Sequence, residues 1–257
     1  LKKLNISFLV ELKFDKNIEI LTPENFVKSI LFEKLGAKQI IVGNDFRFGY
    51  KRSGDIVQGD KTGDTPLSEI IKSFIKEKYK KPGNVYLGVP HRLDRPTSGV
   101  LIFAKTSKSL SRLNKLFKEG KIEKYYLAIT KNKPKKSEDT LIHWLKKNEK
   151  TNKSIHFNNE TERTKKAVMH YKLIKELDRY FVLEIKIETG RHHQIRCQLK
   201  AIGCPIKGDL KYGYERSNSD GGIDLHAKKI IFEHPVTKKL TTIEAPLRNT
   251  KIWSAIK

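Results

Sequence analysis

Residues His91 to Lys105, HRLDRPTSGVLIFAK, set a single carboxylate, Asp94, between Arg92 and Arg95 and just ahead of an apolar run. Cations that close favour the charged form of an acid, so Asp94 is expected to stay ionised, a state that suits a nucleophile and not a general acid. Thr97, Ser98 and Gly99 make a turn into an expected strand, Val100 to Ala104. Asp94 is thus placed on a loop entering a sheet, where catalytic groups often sit. The same residues also fit a plain structural role, in which Asp94 caps a turn and is satisfied by backbone amides.

Residues Glu188 to Arg196, ETGRHHQIR, read as a strand end, a glycine turn and the start of a helix over Arg191 to Ile202. A helix N-terminus beside Arg191 and Arg196 attracts an anion, either a phosphate or a carboxylate. His192 and His193 are consecutive, so they diverge on a helix, and no carboxylate has a matching spacing. RNA contact or plain surface suits them better than a metal. A third candidate is Lys124 to Ala128, KYYLA, on an expected strand. Alternation sends Tyr125 and Tyr126 to opposite faces, one for the core and one able to line a cleft.

The elements that must position these groups follow from periodicity. Leu67, Ile70, Ile71, Phe74 and Ile75 recur at helical spacing, and KKPGN at Lys80 to Asn84 breaks that helix. Strands are expected at Tyr125 to Thr130, Ala167 to Ile174, Phe181 to Ile187, Lys228 to Phe232 and Leu240 to Glu244, with a further helix over Ser107 to Lys118. Lys131 to Lys136 and Lys147 to Asn159 read as lysine-rich loops. Few strands are separated by a crossover helix, so the expected class is α+β with a mainly antiparallel mixed sheet.

Composition narrows the partner. The 257 residues hold 53 Lys and Arg against 29 Asp and Glu, a net charge of +24 that concentrates polyanions. Nucleic acid is the expected partner class. No window approaches the ~20 apolar residues of a membrane-spanning helix, and the start carries no signal-peptide pattern, so a cytoplasmic protein without membrane contact is expected. Cys197 and Cys204 match neither a redox nor a zinc spacing and are expected to be reduced bystanders. The chain begins with Leu1 rather than Met, as a fragment would.

In order, HRLDRPTSG, KYYLA, TGRHHQIRCQL, GCPIKGDLKYG and LHAKKIIFEHP resemble the motifs of the RluA-type RNA pseudouridine synthases, across about Ile56 to Lys257. VQGDKTGD, earlier still, resembles the stretch after that family's first catalytic-domain strand. The resemblance implies isomerisation of uridine to pseudouridine in a structured ribosomal or transfer RNA, by a monomer with no cofactor and no metal. It implies that Asp94 is the catalytic aspartate, Tyr126 the active-site tyrosine and Arg191 the arginine paired with the aspartate. Arg92, Arg95, Thr97, Ser98, Gly99, His193, Gln194, Ile195 and Arg196 are then expected to contact substrate, Ile195 as part of an apolar wall. His192 and Gln198 depart from residues common in the family.

The N-terminal part reads differently. From Ser7 to Val42 a β-α-β pattern is expected, and TPENF, IIVGNDFRFG and KRSGD resemble the adenylyltransferase module of bacterial bifunctional riboflavin kinase/FAD synthetases. That module's HxGH and ISSTRIR-like motifs are missing. Residues 1 to 55 are therefore expected to be a non-functional partial segment, and residues 56 to 257 a catalytic domain lacking its usual first strand. Two other readings follow: a catalytically impaired, basic RNA-binding fusion, and a fragment of a flavin nucleotide synthetase.

Overall fold

The computed structural model describes residues 67–256. The boundary expected at residues 55 and 56, the first-strand question and the β-α-β segment all lie outside the described residues. In chain order the elements are α1 (Leu67–Lys78), β1 (Ser98–Gly99), α2 (Ser107–Lys118), β2 (Ile122–Thr130), β3 (Glu138–Asn148), β4 (Lys153–Phe157), β5 (Lys165–Glu176) and β6 (Phe181–Ile187). There follow α3 (Gln194–Ala201), a 3-10 turn (Leu210–Tyr212), β7 (Leu225–Glu233), β8 (Leu240–Glu244) and α4 (Lys251–Ser254).

Residues 67–87 belong to one compact unit and residues 88–256 to another. In the first, α1 buries Leu67, Ile70 and Ile75, three of the five apolar positions that predict it. The second is built on an eight-stranded sheet ordered β1-β7-β2-β6-β5-β3-β4, with β8 off this path and also paired to β7. Every pairing is antiparallel except β1 with β7. This is the expected α+β class.

Alternation along β2 shows how the sheet divides its two faces. Tyr126 and Ala128 join the main core with Leu183 and Ile185 of β6 and Ile195 and Leu199 of α3. Leu127 and Ile129 turn the other way, onto Trp253 of α4. Beneath that second face Asp224 accepts from Arg248 Nη1 at 2.8 Å, Trp253 Nε1 at 2.7 Å and Lys207 Nζ at 2.9 Å, so its buried charge is fully compensated. α2 starts at Thr106, whose Oγ1 accepts from the Ser109 amide at 3.1 Å.

Two expectations change. Residues 147 to 159 are not a loop: they hold the end of β3, a turn and all of β4. Val100 to Ala104 is mostly unladdered; the pairing is confined to Ser98–Gly99, with a single bridge from Ala104 to Gly88. The apolar residues there are explained by burial, with Val100 and Ala104 in a core shared with Leu113 of α2. Among the described residues no helix is long and apolar enough to cross a membrane.

Candidate active site

The loop carrying Asp94 is anchored on both sides. Upstream, His91 Nε2 accepts from the Ile102 amide at 2.9 Å while its ring stacks on Phe117 at 5.0 Å. Burial and Lys124 lower its pKa to about 4, so it stays a neutral acceptor. Downstream, Thr97 donates its amide to the Asp94 carbonyl at 2.8 Å, and Ser98 Oγ meets His226 Nδ1 of β7 at 2.7 Å. Gly99 has φ +115°, and a Cβ there would lie 2.1 Å from the Ala227 carbonyl oxygen. The TSG sequence is therefore what lets a two-residue strand press against β7.

Asp94 itself is 28% exposed at the side chain. Its Oδ2 lies 3.5 Å from Arg196 Nη1 and 3.8 Å from His193 Nε2. Burial pushes its carboxyl above the usual range, opposed by Arg196 and more weakly by Arg92, with Asp209 adding to the upward push. The ionisation expected from neighbouring arginines is thus opposed by desolvation. Arg95, next in sequence, is exposed.

The cation that faces Asp94 is Arg196 and not Arg191. Arg191 is exposed and donates Nε to the Lys166 carbonyl at 2.9 Å. The reason is local: residues 191–193 form a turn, His193 adopts a left-handed φ of 50°, and the helix begins only at Gln194. That puts Arg196, 4% exposed, on the inner side of α3. Its Nε and Nη2 each meet an Asp209 carboxylate oxygen at 2.7 Å, the bidentate geometry that fixes a guanidinium most firmly. Its guanidinium carbon also stands 5.0 Å from the Tyr212 ring centre.

Tyr212 extends this cluster. Its hydroxyl accepts from the Ser154 amide at 2.7 Å and pairs with His193 Nδ1 at 2.9 Å. Burial and the surrounding cations, Arg196 first, lower the His193 pKa to about 2, so the ring is neutral. With the Tyr212 oxygen occupied as an acceptor by Ser154, its proton is available to Nδ1, which leaves the His193 proton on Nε2, the nitrogen nearer Asp94. His192 stacks on His193 at 3.8 Å and is likewise held neutral, its pKa lowered to about 4 by burial, Lys147, Arg92, Arg196 and Lys211.

Tyr126 and Ile195 share a core cluster with Leu93, the residue before Asp94. Burial, then the Asp94 charge, pushes the Tyr126 phenol above its usual range, so it carries its proton at any ordinary pH. Tyr125 points to the opposite face, donating its hydroxyl to Glu123 at 2.7 Å. The other residues expected to contact substrate divide sharply. Thr97, Ser98, Gly99 and Gln194 are buried, and Gln194 spends its amide on the Val168 carbonyl, the Arg191 amide and Thr189. Arg92 is exposed and faces the site through its charge. Asp209 and Tyr212 both fall in the GCPIKGDLKYG motif, but nothing in their spacing pairs them with an element some 13 to 19 residues earlier.

Cys197 and Cys204 are free and buried, and burial raises both thiols to about 11.

Residues 46–201 match the model of the RNA pseudouridylate synthase family, which is well over half of the chain. The chain belongs to that family. Residues 1–77 match the FAD synthetase model, in line with the resemblance read there, and the two matches overlap over residues 46–77. Among relatives of this pseudouridylate synthase family member, the ribosomal large subunit pseudouridine synthase C of Rickettsia bellii is 37% identical over 172 residues, 66% of this chain and 57% of that protein. The enzyme of the same name from Rickettsia conorii is 31% identical over 237 residues, 90% of this chain and 76% of that protein. A match of that extent runs into residues 1–55. The human RNA pseudouridylate synthase domain containing 4 protein shares the fold, with TM-score 0.64 and 20% identity over 79% of this chain and 85% of that one.

Proposed function

We propose that the protein isomerises uridine to pseudouridine in a structured RNA, ribosomal RNA first and transfer RNA second, acting as a cytoplasmic monomer. The observation that carries this reading is the placement of one partly exposed carboxylate, Asp94, against a fixed guanidinium, Arg196, beside a protonated phenol, Tyr126, and an apolar residue, Ile195. The names of its relatives, which act on the large ribosomal subunit, favour ribosomal RNA.

One carboxylate suffices for this chemistry. Glycoside hydrolysis generally needs two, because a poor leaving group must be protonated while the other acid attacks or activates water. Uracil departs through N1 as a delocalised anion. The detached base turns in the site and bonds to C1′ through C5; C5 then loses its hydrogen and N1 gains one, so the reaction is an isomerisation. Asp94 acts either by attacking C1′ or by assisting loss of a C2′ proton. Both routes need the ionised form, which Arg196 supports against the cost of burial.

Tyr126 offers a protonated hydroxyl against the base. Ile195 and Leu93 supply an apolar wall. Arg92, Lys147 and Lys211 gather at the rim, where their charges all bear on His192. They grip the phosphates of a nucleotide drawn out of its stack, which offsets the cost of unstacking.

The test is release of tritium from RNA labelled at uracil C5. Wild type releases it, and Asp94→Asn abolishes release while RNA binding survives. A wild-type protein that folds and binds RNA but releases nothing refutes the reading.

A further inference from the structure

The β3–β4 hairpin has an outer face that the proposed chemistry does not use. Leu141 and Leu145 of β3 point into the core at 7% and 4% exposure, so Ile142, Trp144 and Lys146 point out. The register sets Trp144 opposite Phe157 and Lys146 opposite Ile155 on β4, and Trp144 opposite Lys166 and Ile142 opposite Val168 on β5. Ile142 is 46% and Ile155 47% exposed, with Trp144 and Phe157 half-buried between them. None of these four joins a core cluster among the described residues. Lys146, Lys153 and Lys166 are exposed on the same face.

We propose that this face is a second RNA contact surface, on which Trp144 and Phe157 stack against unpaired bases flanking the reacting uridine while the three lysines hold the adjoining phosphates. Two features select RNA over a protein. Covering the patch with an apolar protein surface would strip water from three lysines that have no ion pair among the described residues, whereas phosphates compensate them directly, and a +24 chain already gathers polyanions. Aromatic rings interleaved with cations are the arrangement that stacks single-stranded bases without reading sequence.

Position supports the same partner. Among the described residues β4 is the terminal strand in the sheet order. Its Ser154 points inward and donates Oγ to the His192 carbonyl at 2.6 Å, within the cluster around Asp94. Its next residue, Ile155, is on the outer face. An RNA seated at Asp94 therefore reaches the patch by crossing one strand edge, and Lys147 on the inner face and Lys146 on the outer one line that crossing.

The inference rests on the proposed RNA isomerisation, yet it can fail separately. The chain has two tryptophans, Trp144 and the fully buried Trp253, so a change in emission on binding reports on Trp144. The full chain is titrated with a 20-nucleotide uridine-containing single strand and with a matching duplex, and tritium release is measured on labelled RNA. Quenching by the single strand is expected, lost in Trp144→Phe and retained in Asp94→Asn. Trp144→Ala and Phe157→Ala are each expected to weaken binding about tenfold, and the exposed Lys146→Glu, which threatens no core contact, several-fold. Turnover with neither quenching nor weakened binding overturns this inference alone. Emission that shifts with protein concentration and ignores RNA also overturns it, by assigning the patch to a second copy. Quenching without turnover sinks the isomerase reading alone, and absence of RNA binding sinks both.

Discussion

Asp94 and Asp209 share one guanidinium: Arg196 holds Asp209 through two contacts of 2.7 Å and turns its remaining nitrogen toward Asp94 at 3.5 Å. The two acids are unequal partners. Asp209, 1% exposed, fixes the arginine; Asp94, 28% exposed at its side chain, uses it.

Removing the fixing partner should therefore disable the using one. Asp209→Ala leaves a buried guanidinium without its main counterion, a change that costs about 3–5 kcal/mol in comparable pairs. Urea unfolding should show that loss. Any folded fraction should have reduced kcat, and Asp209→Glu should recover stability better than activity because its longer arm displaces Arg196.

The Asp94 carboxyl is raised by burial, so the acid limb of kcat/KM should lie above the usual aspartate value of about 3.9. Activity should fall as pH drops through that midpoint, since the proposed reaction uses the ionised form. Arg92→Gln removes a cation that holds the pKa down and should move the limb upward; an unmoved limb would assign it to another group. For stability the sign is opposite. A folded-state pKa above the unfolded one makes the ionised acid a burden, fully felt above the folded pKa and relieved below the unfolded one. Asp94→Asn should raise the melting temperature at neutral pH, with the gain vanishing in acid.

Tyr212→Phe removes the acceptor for the buried Ser154 amide and the partner of His193 Nδ1 together. The unsatisfied amide should cost about 1–3 kcal/mol. Nitrogen NMR should show the His193 proton leaving its fixed Nε2 position, with kcat lowered more than KM is raised. A variant that loses stability but keeps both tautomer and kcat would make Tyr212 purely structural.

Gly99→Ala should be among the most damaging small changes, because a Cβ at 2.1 Å from the Ala227 oxygen and a φ of +115° must both be relieved by parting β1 from β7. Circular dichroism would show a lowered transition, and turnover would fall with it even though Asp94 is untouched.

Much of this fold follows from pattern in the sequence. The α2 helix and β8 occur over the residues expected, and for α2 a Thr106 cap marks the start locally. The hairpin of β3 and β4 escapes such a reading: its outward positions include Lys146, Lys153 and Asn148, so an edge pair looks like a solvated loop. At the site, Asp94, Tyr126 and Ile195 come from local motifs. The Arg196 pairing does not, because it depends on a left-handed residue, His193, that ends the turn and sets which arginine faces inward. Asp209 and Tyr212 are brought in by tertiary folding alone.

The loop that carries Asp94 is held from far downstream. Ser98 bonds to Leu225 and His226, 127 and 128 residues later, and Val100 donates its amide to Ala227. While the chain is being translated those partners do not yet exist, so Asp94 has no fixed seat until β7 has left the ribosome. If the proposed action on ribosomal RNA holds, the chain is born inert on the very particle that carries its substrate class, and stays so until the residues between Ser98 and Ala227 have been made.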